Sequence, residues 1–276
     1  MRARPRGDRG RSAKQRALGQ HFLTDASAVE RIFAALDIEA SDHVLEIGPG
    51  AGALTTRLVR EAGSVVAVEV DRDLATSLRA RLPGADIVCA DALKADLGRL
   101  LGRTGARRRV VGNLPYNIAS PLILRLFDDE VDADDMHFMV QAEVARRLAA
   151  VPGSKTYGRL SVIAQWHCRI ELLFEVGSGS FSPPPKVRSA FVRLEPRPLS
   201  DRLDCDSAAL HRVVRIAFGQ RRKTLANALE SVPVDWNALH IDPRDRPEDL
   251  SVADFVAIAH GLTRERWTTE LTRERI

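Results

Sequence analysis

Asn113-Leu114-Pro115-Tyr116 places an amide side chain, a backbone carbonyl ahead of a proline and an aromatic ring within one tetrapeptide. Those groups suit a specific task, gripping a flat base and aiming its exocyclic amine. Adenine N6 is a poor nucleophile because its lone pair is delocalised into the ring. Accepting hydrogen bonds from both N6 hydrogens favours a pyramidal nitrogen. The Asn113 side-chain oxygen and the Leu114 carbonyl can be the two acceptors. Leu114 precedes a proline and is biased to extended backbone, which can turn its carbonyl into a pocket. Tyr116 can stack on the ring. A turn with a buried tyrosine is the plainer reading of the same residues.

Upstream lies a glycine-rich turn, Glu46-Ile47-Gly48-Pro49-Gly50-Ala51-Gly52. Its glycines let backbone approach a ligand without side-chain obstruction. Glu69 ends the next predicted strand, where a carboxylate can accept both hydroxyls of a ribose. Asp91 ends the one after, where it can accept from an adenine amino group. These features suit S-adenosylmethionine (SAM). A dinucleotide site would share the first two, but the spacing here is Gly-x-Gly-x-Gly rather than Gly-x-Gly-x-x-Gly. A plain strand-to-helix turn remains the alternative for the glycines, and helix capping for the two acids. With an activated sulfonium as methyl donor no strong general base is required, and the rate comes mainly from alignment. Glycine turn and tetrapeptide together read as a SAM-dependent methyltransferase acting on a nucleic-acid adenine.

Phe181 sits in a Pro-rich loop, Phe181-Ser182-Pro183-Pro184-Pro185-Lys186-Val187. It is a candidate second face of an aromatic sandwich around a flipped base. A core phenylalanine is an equal alternative. Lys186, Arg188 and the run Arg221-Arg222-Lys223 are candidate phosphate contacts, against the default of a solvated charge run.

The elements that must position these residues follow from the apolar pattern. Asp25 or Ser27 can cap a helix through Val29, Ile32, Phe33 and Leu36. Predicted strands are 43–47, 65–69, 87–90 and 109–112, each followed by a helical stretch. That alternation predicts a parallel sheet with helices on both faces. A helix at 121–127, a strand at 137–141, helices at 143–150 and 157–168, and paired strands at 171–176 and 189–194 complete the first domain. The Pro/Arg/Asp-rich stretch 195–204 marks a boundary. Beyond it apolar residues recur only at helical spacing. The expected organisation is a basic tail, 1–16, a methyltransferase domain, 17–197, and a small all-helical C-terminal domain, 198–276, that binds RNA.

A chain of 276 residues accommodates two domains at the usual ~150 residues each. Residues 1–16 carry seven bases and one acid, +6, which leaves −2 for the rest of a +4 chain. Such an arm is a candidate phosphate-binding element; a solvated terminus without a partner is the alternative. Cys89, Cys168 and Cys205 are scattered. Neither a disulfide framework nor a metal site is supported, and a reducing, cytoplasmic setting is expected. The arginine-rich start lacks an apolar h-region and is not a secretory signal. No apolar run approaches the ~20 residues that span a bilayer, so no membrane partner is expected.

These segments resemble the KsgA/Erm family of rRNA adenine N6-dimethyltransferases, with the closer likeness to its KsgA branch. The likeness covers nearly the whole chain after the tail. It rests on Leu18-Gly19-Gln20-His21-Phe22-Leu23, the glycine turn, Val66-Ala67-Val68-Glu69-Val70-Asp71, Asp91-Ala92-Leu93 and Asn113-Leu114-Pro115-Tyr116-Asn117-Ile118. Further matches are Tyr157-Gly158-Arg159-Leu160-Ser161, the Pro-rich loop, and Phe218-Gly219-Gln220-Arg221-Arg222-Lys223-Thr224-Leu225. The resemblance implies a Rossmann-like class I methyltransferase domain and dimethylation of two adjacent adenosines near the 3′ end of 16S rRNA, in the small ribosomal subunit. It implies SAM contacts at His21, Leu23, Gly48, Glu69, Asp91 and Asn113. His21 departs from the asparagine that many members carry there. The chain is expected to act as a monomer. An Erm-like 23S rRNA enzyme and a non-catalytic ribosome assembly factor are the two other readings.

Overall fold

Runs of β-branched and apolar residues, stopped by glycine, aspartate or asparagine, build a seven-stranded sheet. The structure is a computed structural model that describes residues 19–102, 105–220 and 222–261. The basic tail 1–16 and Arg221 lie outside the described residues.

After a two-residue strand β1 (Phe22–Leu23) comes helix α1 (Ala26–Leu36). The Asp25 side chain caps it, accepting from the N–H groups of Ser27 and Ala28. Four strand–helix units follow. They are β2 (His43–Ile47) with α2 (Thr55–Glu61), β3 (Ser64–Glu69) with α3 (Arg72–Arg81), β4 (Asp86–Cys89) with α4 (Leu97–Leu101), and β5 (Arg108–Asn113) with α5 (Ala119–Asp128). The chain continues through β6 (Asp135–Gln141), α6 (Ala142–Leu148), α7 (Arg159–His167), β7 (Cys168–Val176), the short β8 (Phe181–Ser182) and β9 (Ser189–Pro196).

Sheet order is β4-β3-β2-β5-β6-β9-β7. The pairs β4–β3, β3–β2, β2–β5 and β5–β6 are parallel, and β6–β9 is antiparallel. The parallel strands are buried on both faces, with Val44, Leu45, Val110, Val111, Phe138 and Val140 all at 0% exposure. This is the expected α/β, Rossmann-like arrangement. Chain order runs outward from β2 to β3 and β4, then returns to β5 on its other side. That reversal is the switch point at which open parallel sheets bind ligands.

One buried charge network stands apart from the site. The Arg109 guanidinium, 1% exposed, pairs with Asp42 at 3.0 Å and Asp135 at 2.9 Å. It also donates to the Leu36 and Asp37 carbonyls at the end of α1. Those carbonyls are among the ones a helix terminus leaves without intrahelical partners. Burial alone would raise the Asp135 pKa, but its pairing with His137 and Arg109 outweighs that and holds the carboxyl well below the carboxylate range.

Two compact units divide the chain: Met1–Ala145 with Ile170–Pro196, and Arg146–Arg169 with Arg197–Ile276. Composition alone draws the division near 197 and leaves 146–169 in the first domain. In the structure that segment groups with the C-terminal unit. The Tyr157 ring meets Phe218 edge-on, Trp166 Nε1 donates to the Leu203 carbonyl at 3.1 Å, and His167 faces His211. Beyond 197 come α8 (Ser207–Gly219), α9 (Leu225–Ala228), α10 (Trp236–Leu239) and α11 (Val252–His260). The described residues there contain no strand.

Candidate active site

Because β4, β3, β2 and β5 are neighbours, their carboxyl ends bring Asp91, Glu69, Gly48 and Asn113 along one sheet edge. There they line a cavity of about 230 Å³ together with His21 and Leu23. All six residues that the resemblance assigns to the cofactor are therefore brought together. Leu114 and Tyr116 line the same cavity.

Two glycines make the turn possible. Gly48 has φ +71° and Gly50 φ +57°, a region that side chains disfavour. A Cβ on Gly50 would also lie 2.9 Å from the Phe22 ring.

Glu69 is 2% exposed and held rigidly. The Gly50 N–H donates to its Oε2 and the Asp71 N–H to its Oε1, each at 2.9 Å. A carboxylate offers about four lone-pair sites, so both oxygens keep capacity for ligand hydroxyls. Burial raises its pKa, and the two N–H bonds partly offset that. Glu46, at the end of β2, is pushed up to about 7 by burial, with the charge of Glu69 adding to the rise. Asp91 Oδ1 accepts from the Leu93 N–H at 2.9 Å, which orients the carboxylate.

Asn113 Nδ2 donates to the His21 carbonyl at 2.9 Å. A carbonyl only accepts, so the atom facing it must be nitrogen and the amide orientation is fixed. That leaves the side-chain oxygen to act as an acceptor. The Leu114 N–H is spent on the Met139 carbonyl across β6. The same logic fixes the His21 tautomer. Its Nδ1 lies 2.7 Å from the Pro183 carbonyl and carries the proton.

Tyr116 is half-buried, and burial raises its pKa. Its hydroxyl lies 2.6 Å from Ser189 Oγ, and its ring centroid 5.1 Å from that of His21, tilted by 30°.

Phe181 is not brought to the cavity lining. It pairs with Leu23 through β8–β1 and is 3% exposed within the core cluster, the packing alternative for this residue. Lys186 and Arg188 are exposed and outside the lining, and Arg188 pairs with Glu175 at 2.9 Å. Arg222 and Lys223 are exposed on the C-terminal unit.

Val70 was not expected at the site. It lines the cavity, 47% exposed, immediately after Glu69. An apolar side chain left open beside a carboxylate suits a base stacked over a ribose. Its signal in the sequence is its place between the strand-end Glu69 and the helix cap Asp71.

Acids at consecutive strand ends and a glycine turn at the switch point of the parallel strands make an α/β site suited to a nucleoside cofactor. The family described as ribosomal RNA adenine dimethylase matches residues 11–264. The chain belongs to that family and is an rRNA methyltransferase. It is 48% identical over 254 residues, 90% of this chain and 96% of the relative, to "Ribosomal RNA small subunit methyltransferase A" of Nitrosococcus oceani. The protein of that name from Xanthomonas axonopodis pv. citri is 46% identical over 251 residues, 89% of this chain and 95% of the relative. Among solved structures, a dimethyladenosine transferase from Plasmodium falciparum superposes with TM-score 0.72 at 26% identity, over 86% of this chain and 96% of the other. The 23S rRNA methyltransferase ErmE shares the fold at TM-score 0.63 and 24% identity, over 86% of this chain and 98% of the other.

Proposed function

We propose that this protein dimethylates N6 of two adjacent adenosines in a hairpin near the 3′ end of 16S rRNA, using SAM. It acts on the small ribosomal subunit in the cytoplasm as a step in subunit biogenesis. The observation that carries the chemistry is the locked Asn113 amide. With Nδ2 committed to His21, the side-chain oxygen is left to accept alongside the neighbouring Leu114 carbonyl, a pair that would orient an amine without having to remove a proton first.

The residues present fit the cofactor. Glu69 is an anchored carboxylate with spare lone pairs, Val70 an open apolar wall, and Asp91 a carboxylate at the next strand end. His21, Leu23 and Gly48 complete the set that would hold it. When bound, SAM supplies an activated methyl on a sulfonium. The protein's own residues bind, orient and exclude water. Asn113 and Leu114 both face N6 hydrogens in the first transfer, and one partner is lost in the second. Tyr116 holds the base ring in both rounds. Phe181 packs in the core and pairs in register with Leu23 of the wall.

Selection of the RNA falls to surfaces outside the cavity. The basic tail, Lys186 and Arg188 of the Pro-rich loop, and the Arg221-Arg222-Lys223 run on the helical domain are those surfaces. The small-subunit target is favoured because relatives with that name share nearly half the residues of this chain.

Primer extension tests the target. Reverse transcriptase stops at N6,N6-dimethyladenosine. After incubation with SAM and unmethylated subunits, two neighbouring stops are expected in small-subunit rRNA. Stops confined to large-subunit rRNA would move the chain to the 23S class, and binding without stops would leave an assembly factor.

A further inference from the structure

We propose that Ser189 is a positioning residue for methyl transfer, tethering the Tyr116 hydroxyl so that the ring presents a fixed face to the acceptor base. This rests on the reading of Tyr116 as the base-holding ring.

Tyr116 belongs to a loop beyond β5, and a loop tyrosine on its own would turn about its side-chain torsions. Here both its tip and its side are held. The tip is bound by Ser189 Oγ at 2.6 Å. Ser189 is fully buried, at 0% exposure, and opens β9. Its own place is set by the sheet, since it pairs with Gln141 of β6 and the preceding Arg188 carbonyl accepts from the Ala142 N–H at 2.9 Å. The tether therefore runs from a loop ring into β9, two strands along the sheet from β5, not into another loop. The side of the ring meets His21 at 5.1 Å between centroids, and His21 is itself held by the Pro183 carbonyl. A centroid separation of that size leaves no room for a base between the two rings, so His21 supports Tyr116 and leaves its other face for stacking.

A tyrosine is already neutral near pH 7 and burial raises the Tyr116 pKa further, so the bond joins two neutral hydroxyls. Neither hydroxyl is needed for proton transfer in a reaction whose donor is already activated. What the bond does is fix the ring. In a reaction governed by alignment, a misplacement of about 1 Å can cost on the order of 10²-fold. Loss of the tether should therefore appear in the rate and not in ligand affinity.

The test uses the full-length chain, labelled SAM and unmethylated small subunits. Ser189→Ala and Tyr116→Phe are each expected to slow single-turnover methyl transfer roughly tenfold, part of that alignment range. SAM and subunit dissociation constants should stay within about twofold, and the double variant should be no slower than either single one, because both remove the same bond. Wild-type rates in both single variants, or losses that multiply in the double variant, would overturn the proposal. Should Ser189→Ala fail to fold by thermal melting, Tyr116→Phe alone decides, since it deletes the same bond from a half-buried position. Tyr116→Ala separates the two levels. If it transfers at the wild-type rate, the base-holding reading falls with the tether. If it is inactive while Ser189→Ala and Tyr116→Phe are unimpaired, only the tether falls.

Discussion

In the proposed reaction, Asn113 would work by committing its nitrogen. The bond from Nδ2 to the His21 carbonyl costs the side chain one of its donors and gains a fixed acceptor. A side chain free to flip would present a donor to N6 half the time, which repels the amine hydrogens. Asn113→Ala should therefore lower single-turnover methyl transfer by on the order of 10²-fold or more, the scale for removing one pre-organised polar group from a reaction centre. Subunit binding should be nearly unchanged, because no phosphate contact is lost. Transfer from labelled SAM alongside filter binding checks both halves, and near-wild-type turnover would refute the role. The proposed acceptor pair can be read from the sequence because its groups are adjacent in the chain. What holds them was not. His21 lies 92 residues from Asn113, and Ser189 lies 73 from Tyr116. A hydrogen bond across such a separation leaves no periodicity. Phe181 shows the opposite limit, since an aromatic in a motif reads the same whether it faces a ligand or the core.

At the level of elements, the parallel strands were the most readable parts. Val65-Val66-Ala67-Val68 and Val110-Val111 are unbroken apolar runs rich in valine, because strands covered on both faces have no solvent side to alternate toward. The β1–β8 pair escaped notice, since two-residue strands carry no pattern and their partners are far apart in the chain. Helix α7 was found as a helix but not as part of the C-terminal unit. Its burial is nearly all-round, with Leu160, Val162, Ile163, Ala164, Trp166 and His167 all buried, so no face of it points to one neighbour. The same packing makes a prediction. His167 Nε2 lies 3.2 Å from His211 Nε2. Burial, the His211 charge and Arg202 push its pKa down to about 3. A histidine in the unfolded chain takes up a proton near 6.5 while the folded one stays neutral. Stability is therefore full above pH 6.5 and falls as the pH drops toward about 3. Between pH 6.5 and 5 this group alone should cost about 2 kcal/mol at ~1.36 kcal/mol per pH unit. His167→Phe should flatten that part of the acid slope in urea titrations at pH 7, 6 and 5. An unchanged slope would mean that His167 charges without unfolding the unit.

Across the whole molecule, charge is the property that no single element explains. The first sixteen residues hold seven of the 41 basic side chains and a net +6, although the remaining 260 residues are slightly acidic. The folded cavity itself is lined by carboxylates rather than bases, with Glu46, Glu69 and Asp91 on its wall. Those acids suit a cofactor with hydroxyls and amines and do nothing to attract a polyanion. Attraction of rRNA must come from elsewhere, and the tail has the largest excess of positive charge over any comparable length. Each phosphate contact contributes roughly 0.7–0.9 to the slope of log affinity against log salt. Deleting residues 1–16 should therefore weaken subunit binding most at low salt and make that slope shallower by roughly 0.7–0.9 for every contact the tail makes. SAM affinity should not move, because every residue assigned to the cofactor lies beyond the deletion. Filter binding between low and moderate salt, with calorimetry for SAM, measures the two effects separately. An unchanged salt slope would make the tail a solvated terminus and shift the electrostatic burden to Lys186, Arg188 and the Arg221-Arg222-Lys223 run.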